Sequence, residues 1–165
     1  MIKLDLYLVI NRTLSEAFEF VTNMENMPQW ASGIIKSQRI TPEHEVGATF
    51  RLTAKPPIGS PLISDYRFTE FERNQKFSAT GMVGPIPFRE IWLFESFGDD
   101  TRIHLHVELT PRGMLQYFQP LLHFMFKALI RSDLKRLKQV IETVGATRQS
   151  DSRTGAQFQN GEFTR

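Results

Sequence analysis

Two hydrophobic periods in a fixed order constrain this chain more than any single residue. Short runs of alternating apolar residues fill it up to Thr110-Pro111-Arg112-Gly113, and one helical pattern then continues from about Leu115 to Val144. Ile2, Leu4, Leu6, Leu8 and Ile10 share one parity and Lys3, Asp5, Tyr7 and Val9 the other, which predicts a half-buried strand. Thr13-Leu14-Ser15-Glu16 is a capping box, and Leu14, Ala17, Phe18 and Val21 form the apolar stripe of the short helix it opens. Asn26-Met27-Pro28-Gln29-Trp30 reads as a second short helix or turn. Six further strands are predicted over residues 33–41, 48–55, 62–73, 76–83, 88–97 and 101–110. They are separated by a proline-rich loop at 56–61, Gly84-Pro85-Ile86-Pro87 and Gly98-Asp99-Asp100. Strand, two short helices, six strands and one long helix describe an α+β fold, a sheet wrapped around a helix.

Chain length suits a single domain with one core, predicted over residues 1–145. Without cysteine, the chain has no disulfide framework, thiolate metal site or cysteine nucleophile. A net charge of +2 gives no reason to expect a nucleic-acid partner. No window is apolar and long enough to span a bilayer, and the N-terminus carries no cleavage pattern, so a cytoplasmic protein without stable membrane insertion is expected. The last helix divides in two. Leu121 to Ile130 is apolar almost all round; beyond it, Ile130, Leu134, Leu137, Ile141 and Val144 make one stripe. Pro120 kinks this helix or marks its true start, and Gly145 is the expected stop. Residues 146–165 are polar and aperiodic and read as a flexible tail, with Phe158 and Phe163 its only apolar anchors.

Several segments, taken in order, resemble the START-like (SRPBCC) helix-grip superfamily in its polyketide cyclase/dehydrase-like branch. They are Ser15-Glu16-Ala17-Phe18-Glu19-Phe20-Val21, the Pro-x-Trp turn at Pro28-Gln29-Trp30, Val46-Gly47-Ala48-Thr49-Phe50 and Thr69-Glu70-Phe71-Glu72. Trp92-x-Phe94-Glu95, Thr101-Arg102-Ile103 and Leu134-Lys135-Arg136-Leu137-Lys138 complete the set. The resemblance covers residues 2–144. It implies a seven-stranded antiparallel sheet gripping the C-terminal helix, with a deep apolar pocket between them. It also implies a carrier of lipids, polyketides or other small hydrophobic molecules or, in a minority of members, a cyclase or dehydratase. The loop at 56–61 and the turn at 84–87 would flank the entrance.

Fourteen phenylalanines suit a cavity walled by rings. The expected wall is Trp30, Phe50, Leu52, Tyr66, Phe68, Trp92, Phe94 and Leu105, with Phe118, Leu122 and Met125 from the last helix. The same rings also serve as plain core. Glu90 shares parity with Phe88, Trp92 and Phe94; facing inward, it would have a raised pKa and could act as an acid, with Tyr66 and His123 as the other acid/base candidates. His104-x-His106-x-Glu108 projects from one strand face and could ligate zinc or iron, but Ile103, Leu105, Val107 and Leu109 occupy the apolar parity, so this face is expected to meet solvent and no metal is expected. Lys127, Arg131, Lys135, Arg136 and Lys138, with a lone Asp133, make a basic face that is either simply solvated or a transient contact for an anionic membrane surface. No nucleotide, phosphate or nucleophile-elbow motif is present, and no cofactor is expected. Three functions remain open on these residues: a carrier for a small hydrophobic ligand, a cyclase or dehydratase, and a ligand-free interaction module. The chain would act as a monomer or homodimer.

Overall fold

A computed structural model describes residues 1–56 and 59–157. Pro57 and Ile58 of the proline-rich loop, and Phe158 and Phe163 of the tail, lie outside the described residues. The strands are β1 (Ile2–Ile10), β2 (Ile34–Arg39), β3 (Thr49–Ala54), β4 (Leu62–Glu72), β5 (Lys76–Val83), β6 (Ile86–Phe97) and β7 (Asp100–Leu109). They form one sheet in the order β1-β7-β6-β5-β4-β3-β2, antiparallel at each pairing. Helix α1 (Leu14–Thr22) and a 3₁₀ helix (Met24–Gln29) connect β1 to β2, and a second 3₁₀ helix (Gly113–Phe118) leads into α2 (Gln119–Gln157). This is the helix-grip fold.

Alternation fixes which side of the sheet is the interior. On β7, Thr101, Ile103, Leu105, Val107 and Leu109 are buried, as are Ile2, Leu4, Leu6 and Ile10 on β1, which pairs with it in register from Ile2–Leu109 to Ile10–Thr101. A register slip of one residue between them would turn one of the two rows outward. Helix α1 is opened by the capping box: the Thr13 hydroxyl accepts from the Glu16 N–H, and the Glu16 carboxylate accepts from the Thr13 N–H. Its buried stripe of Ala17, Phe18 and Val21 closes one end of the concave face, where Phe18 packs edge-on against Phe94 at 5.0 Å and Phe71 at 5.4 Å.

Pro120 marks the true start of the C-terminal helix, while its end lies beyond the expected one. It starts at Gln119, with Pro120 in its first turn, and Leu115 belongs to the preceding 3₁₀ segment. Proline suits that place because the first-turn N–H groups lack an intrahelical acceptor. The helix also runs past Gly145 to Gln157, because one glycine costs a helix only about 1 kcal/mol and does not end it without a capping motif. Its second half buries Leu134, Leu137 and Ile141 and is fastened to the β1–α1 corner and to Ser32. Lys138 Nζ donates to the Val9 carbonyl at 2.6 Å, the Asn11 N–H donates to Glu142 at 2.8 Å, and the Arg12 guanidinium donates to the Glu142 carbonyl. The Ser32 N–H and hydroxyl both donate to Asp133. The first half is held differently. Gln119 accepts from the N-terminal ammonium at 3.1 Å, but among the described residues nothing from Pro120 to Ser132 hydrogen-bonds to another element. Phe126 is the one fully buried anchor in that stretch; Leu122 and Ile130 are half-buried against the core.

Candidate functional site

Register decides which side chains meet on the concave face. Phe88, Glu90, Trp92 and Phe94 descend along β6 with one parity, and Glu90 stands opposite Ala79 on β5 and Val107 on β7. Tyr66 lies on β4, two strands from β6. Its ring reaches Glu90 across β5 because the intervening inward positions there are Ala79 and Gly81. A Cβ at Gly81 would sit 2.8 Å from the Phe88 ring, so the absent side chain is what lets Phe88 lie over the strand.

The result is a polar cluster within an aromatic lining. The Tyr66 hydroxyl and the Trp92 indole N–H, the latter at 2.8 Å, both donate to Glu90 Oε1. Among the described residues no cation pairs with this carboxylate and nothing donates to Oε2. Burial raises the Glu90 pKa above its ordinary value, against the two hydrogen bonds that favour the charged form. Burial also pushes the Tyr66 phenol well above its usual range, and the neighbouring Glu90 charge adds to this. Tyr66 and Trp92 are fully buried, while Glu90 and Phe88 remain partly accessible. Both belong to the inward parity of β6, and both are partly reached by solvent.

The other predicted wall residues separate into two groups. Trp30, Phe50, Leu52, Phe68, Trp92, Phe94 and Leu105 are buried. Their rings touch: Trp92 stacks on Phe77 at 5.7 Å, meets Trp30 edge-on at 6.2 Å, and Phe50 packs on Phe68 at 5.5 Å. At the α1 end, therefore, the rings fill the concavity themselves. Phe118 and Met125 instead stand 53% and 48% exposed, and Leu122 is half-buried. His123 is half-buried and has no hydrogen-bond partner among the described residues. A separate depression of about 130 Å³ lies beside α1, lined by Phe18, Thr22, His44 and Arg73 among others, and holds no predicted site residue.

His104, His106 and Glu108 lie on the convex face. His104 Nε2 and His106 Nδ1 each lie 2.9 Å from the same Asp5 oxygen, Glu108 pairs with Lys3 at 3.0 Å, and Tyr7 stacks on His104 at 4.3 Å. Hydrogen bonding to Asp5 raises the His106 pKa, and the two imidazoles hold Asp5 below its usual value. The strand neighbours thus satisfy one another, and among the described residues no group of three or more His, Asp or Glu is arranged to hold a metal ion. Sequence reasoning named Glu90 and Tyr66 as candidates without bringing them together, and missed Gly81 and Ala79; the signal was there, as small residues on a strand mark a close approach.

The family model described as "Polyketide cyclase / dehydrase and lipid transport" matches residues 1–142. The chain belongs to this family. No curated protein matches it significantly. Among solved structures it is similar to the di-domain ARO/CYC BexL from the BE-7585A biosynthetic pathway, with a TM-score of 0.73 and 17% identity over 88% of this chain and 48% of that one. It is also similar to the Zhui aromatase/cyclase from Streptomyces (TM-score 0.71, 10% identity, 85% and 93% covered) and to Ara h 8.0201 (0.68, 12%, 86% and 97%). At such identities the likeness establishes the helix-grip fold, and no residue role transfers with it.

Proposed function

We propose that this member of the family binds a small hydrophobic molecule carrying a hydroxyl or carbonyl group. The ligand would enter the concave face at the end away from α1, beneath the first half of α2. The observation that carries this reading is the unpartnered Oε2 of Glu90. A desolvated carboxylate with two donors on one oxygen and none on the other, set among rings and still partly accessible, is a polar anchor in an apolar lining. Protonated, Oε2 would donate to a ligand carbonyl; ionised, it would accept from a ligand hydroxyl. Phe88, Leu122, Phe118 and Met125 would supply apolar contact, at about 25 cal/mol per Å² buried less the cost of ordering.

Native mass spectrometry of the purified protein, followed by solvent extraction, tests this. A stoichiometric hydrophobic adduct, lost or much reduced in Glu90→Gln, is expected. A protein that carries no adduct, and gains no thermal stability from a panel of lipids and polyketides, would count against it.

One observation favours a second reading, a cyclase or dehydratase. A carboxyl that keeps its proton at higher pH, hydrogen-bonded to a phenol, has the makings of a general acid. In that case Glu90→Gln would abolish turnover of a bound polyketide while leaving its affinity nearly intact. In a carrier, affinity itself would fall.

A further inference from the structure

We propose that the outer face of the second 3₁₀ helix and the first half of α2 docks on an anionic lipid bilayer. Tyr117, Leu121 and Phe124 are 79%, 64% and 72% exposed. Leu121 and Phe124, three residues apart on α2, share one stripe turned away from the buried row of Phe126, Leu134 and Leu137, and Tyr117 precedes them in the 3₁₀ helix. Met114 and Leu129 widen the patch. Side chains of this size exposed together mark an interaction surface.

Charge selects the partner. From Arg112 to Leu137 the chain carries five cations, at Arg112, Lys127, Arg131, Lys135 and Arg136, against one acid, Asp133; Lys138, next in line, is taken up by Val9 and Glu142. Asp133 is turned away to accept two hydrogen bonds from Ser32. A second copy docked on this face about a two-fold axis would bring like charges together at the rim of the contact. A layer of anionic headgroups complements the same rim, and the apolar stripe then lies in the plane of the interface. The helix would rest on the bilayer rather than cross it, since no helix among the described residues is long and apolar enough to span one.

Position agrees. Met82 and Val83 at the β5–β6 hairpin and Leu62 at the start of β4 are exposed apolar residues at the sheet end where Phe88 and Glu90 sit. The N-terminal ammonium ties the start of α2 to the same end. The proposed docking face and the open end of the concave surface therefore meet a membrane together, although docking does not depend on Glu90 or on any ligand.

Co-sedimentation with vesicles tests the inference. Wild type is expected to bind vesicles of equimolar phosphatidylcholine and phosphatidylglycerol, to bind phosphatidylcholine alone much more weakly, and to be released by high salt. Leu121→Ser with Phe124→Ser should lower partitioning about tenfold or more. Arg131→Glu with Lys135→Glu should remove the preference for anionic vesicles. Both pairs change exposed side chains, and circular dichroism with a thermal melt verifies that they fold. No binding to the anionic vesicles at low salt overturns the proposal, as does equal, salt-insensitive binding to both compositions. A wild-type dimer by analytical ultracentrifugation that the Leu121/Phe124 variant dissociates overturns it too, and assigns the face to self-association.

Discussion

Glu90 binds its proton more tightly in the folded protein than in the unfolded chain, because burial raises its pKa above the ordinary carboxylate value. The stability this contributes is present in full below that ordinary value and is lost as pH rises through the raised one. Glu90→Gln removes the titration and keeps most of the shape. The variant should therefore gain in thermal midpoint relative to wild type as pH rises from about 5 to about 8, a difference that a melt at each pH reads directly. Next to it, Gly81→Ala would push a methyl into the Phe88 ring, with the Asp65 carbonyl 3.1 Å away on the other side. A loss of about 1–3 kcal/mol is expected by urea denaturation. The inward direction of Glu90 was legible in the sequence, because it shares parity with Phe88, Trp92 and Phe94. Its bond to Tyr66 was not, since that depends on pairing across β5 and on which inward side chains β5 lacks.

Among the elements, α2 is the one whose halves obey different rules. Leu137 is fully buried and sits among the fastened residues, so Leu137→Ala should cost about 2–5 kcal/mol by chemical denaturation. Leu121→Ala, on the exposed stripe of the same helix, should change stability by less than about 0.5 kcal/mol. The second half was readable from its period, because a single stripe of Leu134, Leu137 and Ile141 has one way to be buried. The first half was not. A segment apolar on all sides reads as buried, yet only Phe126 is; whether a partner covers such a segment is not written in its periodicity. The convex face went the other way: the parity of Ile103, Leu105, Val107 and Leu109 placed His104, His106 and Glu108 outside, while Asp5, nearly a hundred residues earlier in the chain, could not be seen as their partner.

In the molecule as a whole, seven short strands and one late helix left few ways to build a core, and the helix-grip architecture followed from their order and alternation. Shape between sheet and helix was less accessible, because the orientation of each ring depends on its neighbours: Trp92 lies flat on Phe77 but edge-on to Trp30. The uneven fastening of α2 has a dynamic counterpart. Amides from Leu121 to Ile130 should exchange hydrogen faster than those from Leu134 to Ile141, and hydrophobic ligand or anionic vesicles should slow the first group selectively. Equal protection of both halves in the free protein would contradict this.

A helix anchored along one half and merely resting along the other also divides the demands placed on its sequence. Substitutions from Leu134 to Ile141 are tested against folding, whereas those at the exposed positions between Tyr117 and Leu129, unlike any at Phe126, leave the core untouched. The same scaffold can thus drift toward new cargo or a new surface through these exposed positions, without first having to survive a loss of stability.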